Sequence, residues 1–223
     1  MLLQELAEKS GTSAASIKFY RREGLLPPGR RVTATRQEYD EQHLSRLQLI
    51  QTLRELVDAP ISRIREITEA LDDPDRSLTD ALATAQALIL TALGIDSPAT
   101  GAEHPSVTGL LAAMNWPDVP SRSRQALSDV LHQLDSVGAA SGHDVLVRFA
   151  RAMEDIAVSD LASMRAPQDS AAAPSDDLIV IRAVVGTIAY DRLISALRML
   201  AHASLTVRGD KPPARDPHES GRL

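Results

Sequence analysis

Basic side chains are concentrated near the N-terminus of this 223-residue sequence. Residues 9–36 hold seven basic side chains and one acid, Glu23, a local charge of +6. The basic residues are Lys9, Lys18, Arg21, Arg22, Arg30, Arg31 and Arg36. Residues 72–223, by contrast, hold 13 basic and 20 acidic side chains. A basic segment on an acidic body is expected where one face meets phosphate groups, although a solvated basic patch would have the same composition.

The sequence contains no comparable pattern of catalytic or metal-binding residues. The six histidines are scattered, and no pair stands at metal-ligand spacing with a carboxylate beside it. His132 and Asp135 would share a helical face, but a solvated pair explains them better than a site does. No glycine-rich phosphate loop and no Ser, His and Asp set in a catalytic motif occurs. We therefore predict that the protein is not an enzyme and uses no metal or other cofactor.

The composition also bears on fold class and location. The absence of cysteine excludes disulfides, thiolate metal sites and thiol redox sensors. Aromatic residues make up only 3% of the chain, so Leu, Ile, Val and Ala must build the core, which favours helix over sheet. The most apolar stretch, residues 178–190, is too short to span a bilayer and contains Arg182. With no secretory signal at the N-terminus, we expect a cytoplasmic protein without a membrane partner.

Two short helices are predicted among the first basic residues. An apolar i, i+3, i+4 stripe that starts at Leu3 predicts a helix ending near Ser10. Ser13 can cap a second helix over residues 14–23, and Gly24 can end that helix in the left-handed conformation. Two short helices joined by a glycine-containing turn form the helix-turn-helix arrangement.

A hairpin and two more helices are predicted to follow. Residues 30–39 are rich in β-branched residues and indicate a short β wing, with Arg36 near its tip, where it could reach a phosphate or the minor groove. Asp40 can cap a third helix, in which apolar residues recur at helical spacing over residues 44–57. Pro60 suits the first turn of a fourth helix.

The order of these segments resembles the mercury-resistance-regulator (MerR) family. The matching stretches are "LAEKSGTSAASIKFYRREGLLPPGR", "TRQEYDEQHLSRLQLIQTLREL" and "ISRIREITEAL", in that order and nearly without gaps. The most specific parts are "SIKFY" before "GLLPP", and "EYDEQHLSRLQLI". The resemblance covers residues 1–71 and implies a winged helix-turn-helix that binds DNA.

The resemblance also implies a set of DNA-binding residues. Ser16 and Tyr20 look like phosphate contacts, Lys18 and Phe19 look like groove-facing positions, and Arg36 looks like the wing contact. The full candidate set is Ser13, Ser16, Lys18, Phe19, Tyr20, Arg22, Arg30, Arg31, Thr35, Arg36 and Tyr39. For Phe19 and Tyr20, packing in the core is the alternative to DNA contact. Only one of Arg21 and Arg22 is expected to contact DNA. Family members usually carry Arg at the position of Lys18, which here supplies a point charge in place of a fork for guanine.

The remaining two thirds of the chain are predicted to be helical. A helix over residues 78–93 follows a polar break, and the resemblance implies that it pairs with a second copy in an antiparallel coiled coil. Its candidate dimer contacts are Leu78, Leu82, Ile89 and Leu93. Because this helix is short and rich in alanine, part of the dimer contact could come from later helices. Those helices are predicted at residues 107–115, 121–137, 144–166 and 176–205, and the last is expected to be the buried centre of the C-terminal body.

The predicted fold is therefore mainly α, with an N-terminal winged helix-turn-helix of four helices and a small β wing, followed by an all-α dimerisation and effector region. The expected divisions are a DNA-binding domain (1–71), a linker with a dimerisation helix (72–96), a helical effector or interaction domain (97–207) and a disordered tail (208–223).

The sequence also contains residues that could line a pocket for an effector. Met114, Trp116, Met153 and Tyr190 are candidate lining residues, because soft and aromatic side chains adapt to apolar ligands. Packing in a helical core is the favoured explanation for each of them. The scarcity of aromatic residues disfavours an aromatic cage for a cationic ligand.

The functional hypothesis that follows is a regulator of transcription. The resemblance implies a homodimer that binds a pseudo-palindromic promoter site, bends and untwists its spacer, and so acts on RNA polymerase. An architectural or excision-type DNA-bending protein is one alternative. A regulator whose C-terminal domain binds a protein partner instead of a small molecule is another.

Overall fold

The computed structural model describes residues 1–33, 36–95, 102–139, 142–166 and 173–209, which are mainly α-helical, as predicted. By contacts the chain divides into two compact units, residues 1–187 and 188–223. The elements within the described ranges are α1 (Leu3–Ser10), α2 (Ala14–Arg22), β1 (Arg30–Arg31), β2 (Gln37–Glu38), α3 (Glu41–Leu56), α4 (Ile61–Asp72), α5 (Leu78–Ala92), α6 (Ser106–Met114), α7 (Arg122–Ser136), α8 (His143–Arg165) and α9 (Asp176–Arg208).

The ends of the N-terminal helices are set by the residues that the sequence predicted. The Ser13 hydroxyl accepts a hydrogen bond from the backbone N–H of Ser16 at the start of α2. The Asp40 carboxylate accepts from the first turn of α3 in the same way. Gly11 and Gly24 follow α1 and α2 with φ of +67° and +76°, a conformation that glycine adopts without steric cost.

Each of the four helices of the winged domain buries apolar side chains. Helix α1 packs on α2 and α3, and α4 packs on α5. The side chains that are fully buried here are Leu6, Ile17, Leu25, Leu47, Leu49, Ile50, Leu53, Ile64 and Ile67. Branched aliphatic residues fill this core almost entirely, which agrees with the scarcity of aromatic residues in the chain.

The wing is a two-stranded antiparallel sheet. Strands β1 and β2 pair Arg30 with Glu38 and Arg31 with Gln37. Beyond the strands, the backbone N–H of Val32 donates to the carbonyl of Arg36 at 2.9 Å, which continues the ladder toward the tip. The tip residues, 34 and 35, lie outside the described residues.

A second core lies between α6, α7 and α8. Its buried side chains are Val107, Leu110, Met114, Leu131, Leu146 and Ala150, and Trp116 packs against them. Helix α5 lies between this body and the winged domain in sequence, and it packs on both α4 and α7. Its buried face consists of Ala81, Ala85, Leu88 and Ile89. Helix α5 therefore uses much of its apolar surface within its own chain.

Helix α9 requires a correction to the prediction that it is the buried centre of the C-terminal body. Val180 and Val184 are fully buried, but Leu193, Leu197 and Leu200 are 49%, 54% and 62% exposed. The apolar positions cover more than one face of the helix, and the fully buried ones lie in its N-terminal part.

Helix α9 also continues to Arg208, three residues beyond the predicted end and into the segment predicted to be a disordered tail. Residues 210–223 of that tail lie outside the described residues, as do residues 96–101 and 167–172. No helix in the described ranges combines the length and apolarity needed to cross a bilayer.

Candidate nucleic-acid interface

The N-terminal turn of α2 is built to leave backbone donors at the surface. The Ser13 hydroxyl accepts from the N–H of Ser16 at 3.0 Å, and the two hydroxyl oxygens lie 2.8 Å apart. This cap satisfies one of the four N–H groups that begin a helix, and the others have no partner within the helix. Such a terminus favours a phosphate oxygen, because its N–H groups and the helix dipole both attract negative charge.

The outer face of α2 presents cations next to an aromatic ring. The Lys18 side chain is exposed, and Phe19 and Tyr20 are half-buried, with their rings edge to face at 5.6 Å. The Arg22 guanidinium lies 5.3 Å from the centre of the Phe19 ring. A cation–π contact of this kind holds an arginine that is otherwise exposed in a defined place. Phe19 therefore serves partly as a platform for Arg22 at the surface.

The neighbouring Arg21 is used inside the domain. Its Nη1 donates to the Tyr39 hydroxyl at 3.1 Å, while its Nε is buried without a partner among the described residues. Of this pair of arginines, only Arg22 presents its guanidinium mainly to solvent.

Tyr39, a predicted DNA contact, lies in the interior of the winged domain. Its side chain is only 4% exposed, and its hydroxyl donates to Gln37 Oε1 at 3.3 Å in addition to accepting from Arg21. Its ring meets the edge of His43 at 5.1 Å. A Cβ at Gly29 would lie 2.7 Å from the Glu38 carbonyl oxygen and 3.0 Å from the Tyr39 ring, so the chain approaches too closely here for any other residue. We therefore correct the prediction that Tyr39 contacts DNA: its side chain is buried and fixes the wing on the rest of the winged domain.

The wing itself carries exposed arginines. Arg30 pairs with Glu38 across the two strands, with 2.5 Å between Nη2 and Oε2. Arg31 and Arg36 are exposed, and the backbone N–H of Arg36 donates to the Thr33 hydroxyl at 3.1 Å. The remaining wing candidate, Thr35, lies outside the described residues. The hairpin thus brings three guanidinium groups to one small element.

The position of α2 depends on contacts that the sequence did not reveal. Arg65 of α4 donates from Nε to the carbonyl of Glu23 at 3.0 Å and from Nη2 to its carboxylate at 3.1 Å. Gln51 of α3 donates to the Thr12 hydroxyl at 2.8 Å, which ties down the turn between α1 and α2. These contacts hold both ends of α2 against α3 and α4.

Arg54 is a second residue that sequence reasoning missed. It lies in the last turn of α3, exposed, at a shallow groove of about 350 Å³ beside α2. The groove is lined by Ala15, Ser16, Phe19, Tyr20, Arg54 and Ile61. The only signal for it in the sequence is a cation at the end of an amphipathic helix. Its placement beside Ser16 and Tyr20 is a result of how α3 packs.

The candidate effector residues do not share one environment. Met114 is buried in the core of α6–α8, and Trp116 packs against that core while its indole N–H donates to Glu154 at 2.8 Å. Met153 and Tyr190 are exposed. The described residues contain no group of three or more His, Asp or Glu placed to hold a metal ion.

The candidate dimer residues of α5 are partly covered within the single chain. Ile89 is buried, and Leu78, Leu82 and Leu93 are half-buried. The Ile89 side chain is therefore already packed inside its own protomer, so we revise its assignment as a contact to a partner.

A capped helix with cations on its outer face, set beside an arginine-bearing hairpin, defines a winged helix-turn-helix protein. Residues 1–71 match the family of MerR helix-turn-helix regulatory proteins. The prediction made from the sequence motifs is confirmed for the same residues.

Two curated relatives share this region. The chain is 34% identical over 67 residues to an HTH-type transcriptional regulator, the ZntR homolog of Haemophilus influenzae, covering 30% of this chain and 49% of that protein. It is 28% identical over 78 residues to the HTH-type transcriptional regulator AdhR of Bacillus subtilis, covering 35% of this chain and 55% of that protein. The chain thus spans about half the length of the curated relatives that it matches.

One solved structure is similar over nearly the whole chain. The crystal structure of SCO5550 from Streptomyces coelicolor A3(2), a proposed transcriptional regulator, has a TM-score of 0.63 and 28% identity. The similarity covers 95% of this chain and 100% of that one. The helical region after the winged domain is therefore a shared architecture in these two proteins.

Proposed function

We propose that this protein is a transcriptional regulator that binds a pseudo-palindromic promoter site as a homodimer and distorts the promoter spacer. In this proposal it acts in the cytoplasm, changes the access of RNA polymerase to the promoter elements, and has no catalytic role. The family of its N-terminal domain supports the general role. The arrangement of cations around α2 and the wing supports the mode of binding.

The observation that carries the proposal is the surface formed by Lys18, Arg22 and Arg54 with the wing arginines. Arg54 lies beside the N-terminal turn of α2, Lys18 and Arg22 are exposed on α2 itself, and the wing arginines are exposed on the hairpin, in a chain whose net charge is −6. An acidic protein gains little from a concentrated cationic face unless that face meets phosphate. We expect the affinity for DNA to fall steeply with salt, because each neutralised phosphate releases counterions.

Within this surface, we assign separate tasks to the residues. Ser16, Tyr20 and Arg54 line one groove and would hold a phosphate, which fixes the register of α2 without reading sequence. Lys18 and Arg22 are exposed on α2 and would face the major groove. Arg36, at the base of the wing tip, would contact phosphate or the minor groove.

The C-terminal helices are proposed to carry the signal that controls DNA binding, either from a small molecule or from a protein partner. A direct connection supports this role, since Arg46 of α3 forms an ion pair with Asp177 of α9. A rearrangement in the C-terminal region would thus act on the helix that packs against α1. An architectural DNA-bending protein is the less favoured alternative, because such a protein would have no use for the second helical core of α6–α8.

The test is a nuclease footprint of the purified protein on the DNA upstream of its own gene. We expect protection of two half-sites about one helical turn apart, with enhanced cleavage between them where the DNA is distorted. Protection of a single continuous patch without enhanced cleavage would favour binding without distortion. Absence of protection at low salt would contradict the proposed function.

A further inference from the structure

The segment that carries most of the proposed DNA-binding cations contains a single acid. Between Lys9 and Arg36, Glu23 stands alone among seven basic side chains. A carboxylate beside a phosphate-binding surface weakens binding to DNA of any sequence, because like charges repel each other. In the folded domain this carboxylate contacts two arginines, one on each side of it.

Glu23 lies between an arginine of α2 and an arginine of α4. Its Oε1 is 3.6 Å from Nε of Arg22, and its Oε2 accepts a hydrogen bond of 3.1 Å from Nη2 of Arg65. The Glu23 side chain is 30% exposed, whereas that of Arg22 is 73% exposed. The half-buried carboxylate is thus a partner, within the domain, for a guanidinium that otherwise faces solvent.

Arg65 holds Glu23 at two points. In addition to the contact with the carboxylate, its Nε donates to the backbone carbonyl of Glu23 at 3.0 Å. Glu23 is the C-cap residue of α2, where the helix dipole favours a cation. A planar guanidinium that binds both the backbone and the side chain of one residue restricts the rotation of that side chain. The Glu23 carboxylate is therefore fixed relative to α4.

Arg22 is also held by an aromatic ring of its own helix. Its guanidinium lies 5.3 Å from the centre of the Phe19 ring. An arginine side chain loses conformational entropy when it binds, and the loss is smaller when the side chain already has a defined position. Phe19 and Glu23 together define such a position for Arg22 in the protein without DNA.

We propose that Glu23 is a positioning residue that sets base preference, because it fixes the Arg22 guanidinium for contact with base edges while it lowers the affinity for DNA in general. Arg65 contributes by fixing Glu23. An arginine that moves freely binds any phosphate within reach, whereas one with a fixed orientation discriminates among base edges. This inference rests on the proposed function, in which Arg22 faces the major groove.

The first experiment measures the affinity of the full chain for operator DNA, taken from the footprint, and for unrelated DNA by fluorescence anisotropy. The ratio of the two affinities is the selectivity ratio. Glu23→Gln removes the charge but keeps an oxygen that can accept from Arg65. We expect the affinity for unrelated DNA to rise and the selectivity ratio to fall, each by about two- to five-fold, the size of an exposed ion pair. An unchanged selectivity ratio would overturn the proposal.

Glu38→Gln is the matched control for charge. Glu38 is 34% exposed and pairs with Arg30 on the wing, so its substitution removes the same charge from another element of the candidate interface. The affinity for unrelated DNA should rise as it does for Glu23→Gln, while the selectivity ratio should stay at the wild-type value. An equal fall of the ratio in both variants would show an effect of charge alone and would contradict the proposal.

Arg65→Lys tests positioning without a change of net charge. A lysine ammonium is a point charge and cannot hold two acceptors in the geometry of a planar guanidinium. We expect the affinity for unrelated DNA to stay unchanged and the selectivity ratio to fall. A wild-type ratio in this variant would contradict the role of Arg65 in fixing Glu23.

A double-mutant cycle tests whether Glu23 acts through Arg22. In an Arg22→Ala protein, Glu23→Gln should no longer lower the selectivity ratio, because no guanidinium is left to position. The same fall with and without Arg22 would overturn the proposal. Urea denaturation measures the stability of each variant. A role of Glu23 in stability alone would reduce the fraction of folded protein without changing the ratio.

A measurement without DNA separates failure of this inference from failure of the proposed function. Nuclear magnetic relaxation of the Arg22 Nε–Hε group should show an ordered side chain in the wild type and a more mobile one in Glu23→Gln. Equal mobility in the two proteins would overturn the positioning of Arg22, even if the wild type protects two half-sites. Ordered Arg22 in a wild-type protein that protects no DNA would instead leave the contact in place and contradict the proposed function.

Discussion

The Nε of Arg46 donates a hydrogen bond of 2.5 Å to Oδ1 of Asp177, which joins α3 to the first turn of α9 across 131 residues of sequence. The other edge of the Arg46 guanidinium binds Asp72 through both of its Nη atoms, at 2.7 and 2.9 Å. Arg46 is buried, and burial works to lower its pKa, but the hydrogen bonds to Asp72 and Asp177 outweigh that effect and raise it. The charge is thus fixed in place between two segments of the chain.

We predict that Asp177→Asn lowers the free energy of unfolding by about 1–3 kcal/mol, because a buried guanidinium would lose one of its two compensating charges. The measurement is urea denaturation followed by circular dichroism. Asp176→Asn is the matched control, since Asp176 occupies the same helical turn but is exposed. Its effect should stay within about 0.5 kcal/mol. Equal effects of the two substitutions would show that the Arg46 contact does not stabilise the fold.

The wing and the recognition helix should respond differently to loss of charge. We predict that Arg36→Ala weakens binding to operator and unrelated DNA alike and reduces the slope of log K against log salt by about 1, because a phosphate contact carries no sequence information. Fluorescence anisotropy at several salt concentrations measures both quantities. Arg63→Ala removes the same charge from α4, where Arg63 is paired with Glu66, and should change neither. An unchanged salt slope for Arg36→Ala would contradict the assignment of the wing.

Lys18 should affect base preference as well as affinity. We predict that Lys18→Ala lowers operator affinity more than affinity for unrelated DNA, because its ammonium would face base edges in the major groove. Lys18→Arg provides a fork in place of a point charge and should shift the preferred bases toward guanine. Selection of binding sites from a random DNA pool measures the change. The same selected sequences for wild type and both variants would place Lys18 outside the groove.

Substitutions of two tyrosines in the winged domain should distinguish effects on stability from effects on DNA binding. Tyr39→Phe removes the hydroxyl that binds Arg21 and Gln37, and we predict a loss of about 1–2 kcal/mol in the free energy of unfolding, because Arg21 would lose a buried partner. Tyr20→Phe should leave stability unchanged and weaken DNA binding, because its hydroxyl is proposed to reach phosphate. Thermal unfolding and anisotropy together test the pair. A stable Tyr39→Phe protein with impaired DNA binding would instead restore Tyr39 as a direct contact.

The cap of α3 makes stability depend on pH at the acidic end. The hydrogen bond between the Asp40 carboxylate and the His43 side chain is the main cause that holds the pKa of Asp40 below its usual range, with further hydrogen bonds from the backbone of the first turn. The folded state therefore favours the carboxylate, so this contribution is present above the pKa of the unfolded chain and is lost as pH falls through the lower folded value. Asp40→Asn keeps a capping oxygen but cannot titrate. We predict that the difference in unfolding free energy between wild type and variant narrows as pH falls from 5 to 2. A constant difference across that range would rule out the contribution of Asp40.

The local structure of the winged domain can be predicted from short stretches of sequence. Ser13, Gly24 and Asp40 set helix ends through interactions with their own neighbouring backbone, so their effects could be read from a few adjacent residues. The match of residues 1–71 to the MerR family could be predicted in the same way, because the motifs are contiguous. The helices of the C-terminal region were also predicted close to their observed bounds, since apolar periodicity is a local property.

Which side chains of a helix are exposed to solvent depends on how the helices pack together. Arg21 and Arg22 are adjacent and alike in sequence, yet one binds buried Tyr39 and the other lies over Phe19 at the surface. Arg54 lines the groove beside α2 only because α3 packs there. In α9, Val180 and Val184 are buried whereas Leu197 and Leu200 are exposed, although all four belong to the same apolar pattern. Periodicity shows that a helix has an apolar face, whereas the partner of that face depends on contacts between residues far apart in the chain or on another copy of it.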